Sequence, residues 1–114
     1  MAFIERSTLE KNMNSEPDNI QPLLDRIAKI VRREMEGNYQ LFLFGSRAGG
    51  GYDPKADIDI GIIADKPVEA KTMVNIKEAL EQIPTLLKID FVDFSMVSQG
   101  FRKIAMKDKK DIRI

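Results

Sequence analysis

Apolar residues run without a break over Leu41-Phe42-Leu43-Phe44, which suits a strand buried on both faces. A second strand follows at Asp57-Ile58-Asp59-Ile60 and ends near Ala64. Side chains two apart share a strand face, so Asp57 and Asp59 project together while Ile58 and Ile60 turn to the core. A third strand is predicted over 86–94. Its alternation sets Lys88, Asp90, Val92 and Phe94 on one side and Ile89, Phe91 and Asp93 on the other. Residues 111–114 alternate as well and predict a short edge strand. The helical period appears elsewhere. Ile20, Leu23, Leu24, Ile27, Ile30 and Val31 form one stripe, with Asn19 as cap, Pro22 in the first turn and Gly37 as the stop. Met73, Ile76, Leu80 and Ile83 space a second amphipathic helix over 68–83, entered through Asp65-Lys66-Pro67 and stopped by Pro84. Ser98 is placed to cap a last helix with Phe101, Ile104 and Ala105 inward.

Residues 1–18 carry only weak periodicity, and the pattern predicts a flexible arm or a short helix that docks on a partner. The expected domain is 19–114. Strands and helices in this order predict a small α/β (α+β) domain with a mixed sheet, helices packed on one face, and Asp57, Asp59 and Asp90 on the open face.

Composition narrows the chemistry. A chain of 114 residues builds one hydrophobic core. Lys+Arg and Asp+Glu number 18 each, so bulk charge gives no pull toward nucleic acid, which is not expected as a direct partner, or toward membrane. With no Cys and no His, disulfides, thiolate metal sites and imidazole bases are all excluded. No apolar run approaches the ~20 residues of a membrane span, and no signal-peptide pattern opens the chain. The cytoplasm is the expected location.

What remains is carboxylate, hydroxyl, Lys, Arg and oxygen-bound metal. Gly45 follows a strand and allows a tight turn and close approach of a ligand to the backbone. Free N–H groups at a helix start near Ser46 attract phosphate. Two carboxylates on one face repel each other, and Mg²⁺ suits one or two carboxylates together with substrate phosphates. A solvated strand face is the other reading of a bare Asp-x-Asp.

Gly45-Ser46, ten intervening residues and Asp57-x-Asp59 resemble the signature of the DNA-polymerase-β-type nucleotidyltransferases, and most of all their small prokaryotic branch, the minimal nucleotidyltransferase (MNT) proteins. The resemblance runs from about Ile20 to Ile114. It implies a polymerase-β-like nucleotidyltransferase fold and a catalytic and metal-binding set of Asp57, Asp59 and Asp90, with Asp93 as the other choice for the third acid. It implies two Mg²⁺ ions, roughly 3.5–4 Å apart in such centres, and ATP as substrate. Gly45, Ser46 and Arg47 would then lie at the nucleotide, although Arg47 could equally pair within the fold, and Lys88, on the face of Asp90, could tune that acid or touch phosphate. Two positions depart from the family pattern. Gly49 stands where a second Arg is common, and Ala56 where a Ser is usual.

The expected chain has no acceptor-binding domain. It therefore resembles the MNT half of two-gene HEPN/MNT toxin–antitoxin pairs, whose MNT protein binds a helical HEPN RNase and can transfer AMP to a tyrosine on it. The implied function is an adenylylating antitoxin whose partner is a HEPN-type protein encoded nearby, with any contact to nucleic acid made through that partner. Two alternatives stand beside it: an antitoxin that neutralises by contact alone, and a transferase acting on a small molecule or an RNA end.

Overall fold

The computed structural model of the chain describes residues 19–49, 55–105 and 107–112. The expected arm at 1–18, residues 50–54 and the end of the expected edge strand at 113–114 lie outside them. Helix α1 spans Gln21–Glu34 and leads to strand β1 at Tyr39–Phe44. A single turn, α2 (Ser46–Gly49), precedes β2 (Ile58–Ala64). Helix α3 (Ala70–Glu81) crosses over to β3 (Ile89–Asp93), and α4 (Gln99–Ala105) and β4 (Lys110–Ile112) complete the order.

The four strands form one mixed sheet in the order β3-β2-β1-β4. β1 runs antiparallel to both β2 and β4, and β2 runs parallel to β3. The parallel pair needs a crossover, which α3 supplies. One sheet face carries Leu41, Leu43, Ile58, Ile60, Ile62, Phe91 and Ile112. Against it pack Leu24, Ile27, Ala28, Ile30 and Val31 of α1, Ile76 and Leu80 of α3, and Ile83 beyond it. Each fully buried aliphatic side chain contributes about 1.5–3 kcal/mol relative to exposure, so this face supplies the main drive for folding.

The predicted elements are present with shifted ends. Ile20, not Asn19, is the residue before α1, and no side chain caps it. Pro22 sits in the first turn as expected, because the N–H it lacks has no partner inside the helix there. α1 stops at Glu34, and Gly37 (φ +79°) turns the chain into β1. α3 is shorter than 68–83 because Val68 is engaged elsewhere, its N–H donating to Oδ2 of Asp93. β3 begins at Ile89, not 86. Thr85 Oγ1 accepts the N–H of Leu87, which holds a local turn, and Leu86 is fully exposed. The edge strand is found at Lys110–Ile112, one residue earlier than the alternation placed it.

The opposite sheet face is less open than expected. Phe42, Phe44 and Phe94 cluster on it. Phe94 meets Phe42 at 5.5 Å and Phe44 edge-on at 5.0 Å. Gly61 makes this possible: a Cβ there would lie 2.4 Å from Cζ of Phe42 and 2.9 Å from Cδ2 of Phe94. Ser98 does cap α4, its Oγ accepting the N–H of Phe101. Phe101 was expected inside, yet it is 54% exposed and touches the fold by stacking on Phe94. Arg102 anchors the helix by donating from Nη2 to the Phe94 carbonyl at 2.7 Å.

Candidate active site

The sheet register builds the site. Phe44 on β1 is opposite Asp59 on β2, and Asp59 is opposite Asp90 on β3. Alternation then fixes the sides. Ile58 and Ile60 are fully buried toward the helices, so Asp59 between them faces the other way. Asp90 lies in the same row on the same face. Asp93 lies on the other side, where it is spent on the fold. Its Oδ2 accepts Val68 N–H at 2.8 Å and its Oδ1 accepts Ser95 N–H at 2.9 Å.

Gly45 follows Phe44 at φ +75°, and its carbonyl accepts the N–H of Ala48 at 3.2 Å to open α2. Ser46 is thus the first residue of α2 rather than the residue before it. The bare Cα of Gly45 lies against Asp59: a Cβ would come 2.2 Å from Oδ2. Both Gly45 and Ser46 are exposed at the edge of the acid row.

Asp57 sits one residue before β2 and is exposed. Lys88 Nζ is 3.7 Å from Oδ1 of Asp90, an exposed pair that adds little stability. Burial pushes the Asp59 carboxyl above the ordinary range. The negative charges of Asp90 and Asp57 push it the same way, as does a hydrogen bond to Asp90, while Lys88 pulls it back. Three acids therefore act on one another, and one of them holds its proton more tightly than a solvated carboxyl does. A cleft of about 620 Å³ lies against Asp59, Lys88 and Asp90, with Phe44 and Lys77 of α3 also lining it.

The sequence leaves Arg47 either at the nucleotide or paired within the fold, and the structure turns it inward. Its side chain is 2% exposed, and Nε donates to the Ala56 carbonyl at 2.9 Å. Alternation in β1 could have revealed Phe42 and Phe44 beneath the acids. The unbroken apolar run hid it, because a strand buried on both faces has no polar side to mark.

The donor set is all carboxylate, which fits a hard divalent cation. Gly45 leaves Asp59 free of a side chain that would crowd it. Among the described residues no three acidic groups form a ready-made metal cage. Two carboxylates with substrate phosphates suffice for Mg²⁺, so the site fits the ion in company with a nucleotide. Among the described residues no helix is long and apolar enough to cross a membrane.

Comparison with known proteins gives the family and the fold. The sequence profile of the family described as "Polymerase beta, Nucleotidyltransferase" matches residues 25–113. A curated relative from Haemophilus influenzae, "Probable protein adenylyltransferase MntA", is 28% identical over 81 residues, which cover 71% of each chain. A chain in the solved structure of tri-AMPylated Shewanella oneidensis HEPN toxin in complex with MNT antitoxin superimposes with a TM-score of 0.63 at 20% identity, covering 82% of this chain and 71% of the other. A chain in the crystal structure of a toxin–antitoxin with AMP-PNP gives a TM-score of 0.64 at 20% identity, covering 79% and 72%. At that identity the two structures establish the shared fold.

Proposed function

We propose that this chain, which belongs to the polymerase beta nucleotidyltransferase family, transfers AMP from ATP to a hydroxyl of a HEPN-type toxin and acts as its antitoxin. The observation that carries the chemistry is the pairing of Asp59 with Asp90 across β2 and β3, beside the side-chain-free Gly45. The acceptor is drawn from the Haemophilus relative named as a protein adenylyltransferase and from the fold shared with a complex of an AMPylated HEPN toxin.

Asp57, Asp59 and Asp90 would hold two Mg²⁺ ions in company with the triphosphate. Bound there, Mg²⁺ offsets the charge of carboxylates and phosphates and makes the acceptor hydroxyl more acidic. Gly45 and Ser46 present backbone at the helix entry to the β- and γ-phosphates. Lys88 beside Asp90 balances part of the acid charge and lies within reach of the same cleft. In the reaction, the acceptor oxygen forms a bond to the α-phosphorus and the bond to the bridging oxygen breaks. Pyrophosphate leaves, and Asp90 takes the hydroxyl proton. Catalysis rests on placement and charge, with no covalent enzyme intermediate.

The experiment is incubation of the chain with ATP, Mg²⁺ and its HEPN-type partner, followed by intact mass measurement. The expected result is the added mass of AMP on the partner, absent with Asp59→Asn or Asp90→Asn. The burial of Arg47 favours a second reading, because it withdraws a cation from the phosphates. In that reading the antitoxin masks its partner by contact. Neutralisation that survives Asp59→Asn, with no AMP on the partner, would establish it.

A further inference from the structure

Arg47 is the charged residue among the largest fully buried side chains. Enclosing a guanidinium costs several kcal/mol unless its donors are used, so what it bonds to deserves an explanation. Its Nε–H donates to the carbonyl of Ala56, nine residues later in the chain. That carbonyl belongs to the peptide unit that enters Asp57. The next residue, Ile58, is pinned by its own N–H to the Lys88 carbonyl at 2.8 Å. Asp57 is thus flanked by two anchors, one from α2 and one from Lys88, the residue before the strand that carries Asp90. Asp57 itself is exposed and lies outside the β2 ladder.

From this geometry we infer that Arg47 is a positioning residue for Asp57. It fixes the backbone that presents the outermost carboxylate of the acid set, instead of touching phosphate. The inference rests on the metal-holding role proposed above for that set. It also accounts for Ala56, since the contact uses a main-chain oxygen and needs no side chain at that position. Arg suits the task because a rigid, permanently charged fork can donate from Nε at a fixed angle. The flexible ammonium of Lys cannot reproduce that bond.

The test is a binding measurement on the full chain: Mn²⁺ titrated by calorimetry in the presence of AMP-PNP, with no acceptor. Wild type, Asp59→Asn, Asp57→Asn, Arg47→Lys and the Arg47→Lys/Asp57→Asn pair are compared. Arg47→Lys is expected to weaken Mn²⁺ binding roughly tenfold, the usual scale for an outer partner of a metal ligand. In the Asp57→Asn background it should add nothing, because its effect runs through Asp57. Equal weakening in both backgrounds would reduce Arg47 to a general structural role and overturn the assignment. Failure of the wild type to bind Mn²⁺, or binding indifferent to Asp59→Asn, would instead remove the metal-holding reading and the Arg47 role with it. Should the Arg47 variants not fold, the wild type decides by its Arg47 Nε–H signal in ¹⁵N NMR. Slow solvent exchange and a scalar coupling to the Ala56 carbonyl support the assignment. Exchange as fast as in surface arginines overturns it.

Discussion

Gly45 and Asp59 approach so closely that a methyl group on the first would lie 2.2 Å from a carboxylate oxygen of the second. That oxygen is the end of a side chain that can swing, so the clash moves the acid more than it breaks the fold. Gly45→Ala is expected to lower AMP transfer about hundredfold, the scale of an ångström misplacement in a reacting site. Its φ of +75° adds roughly 1–2 kcal/mol of backbone strain. Gly37→Ala is the control. It shares the left-handed backbone (φ +79°) but has nothing within 4 Å of the new Cβ. It should lose similar stability and keep full transfer. Equal activity in the two variants would show that the approach to Asp59 has no functional weight.

Asp59 makes stability depend on pH. Its folded pKa is raised by burial and by Asp90 and Asp57, above the ordinary value it has when unfolded. Below the unfolded value both states hold the proton and nothing is lost. As pH rises through the window up to the folded value, the unfolded chain releases its proton first, and stability falls. Above that window the full cost is present. Asp59→Asn should therefore raise the thermal midpoint at pH 7 and lose that advantage as pH drops to 3. A wild-type chain as stable as the variant across that whole range would contradict this.

Asp90 and Asp93 separate function from folding within one strand. Asp90 is half-exposed and pairs with Lys88 at the surface, so Asp90→Asn should leave the unfolding free energy within about 0.5 kcal/mol of wild type by urea denaturation. AMP transfer should be lost. Asp93 accepts from Val68 and Ser95, and Asp93→Ala leaves both N–H groups without that acceptor, at about 2–3 kcal/mol. Mn²⁺ affinity in that variant should match wild type. A reversal of the two phenotypes would move the third acid to Asp93.

Gly61→Ala probes the aromatic floor. The new methyl would enter the space of the Phe42 and Phe94 rings, both fully buried, so one or both must shift against their neighbours. The expected loss is about 1–3 kcal/mol by urea denaturation, as for other overpacked cores. No change in midpoint would mean that the two rings shift freely.

Sequence reading worked where local periodicity decides the outcome. The alternation around Ile58-Asp59-Ile60 and around Asp90 puts these two acids and their aliphatic neighbours on the sides where they are found. So does the stripe that became α1. It failed where a distant backbone group decides. The N–H of Val68 bonds to Asp93, which shortens α3 from its start. Thr85 holds Leu87 in a turn, so β3 starts late despite two leucines that look like strand. Arg47 follows a glycine turn, where a phosphate contact and a pairing within the fold fit the sequence equally. Only the fold shows it buried on the carbonyl of Ala56. Asp93 and Asp90 differ by three residues, and parity alone separated them.

The facing of Asp59 and Asp90 is a property of strand register, with α3 and its loops between the two strands. The length of that connector does not decide which residues meet across the pair, since register alone sets the two carboxylates face to face. A slip of one residue in β3 is another matter. It would bring Ile89 or Phe91 opposite Asp59 and turn Asp90 toward the greasy side, so the row of acids would lose the carboxylate that the third strand lends it.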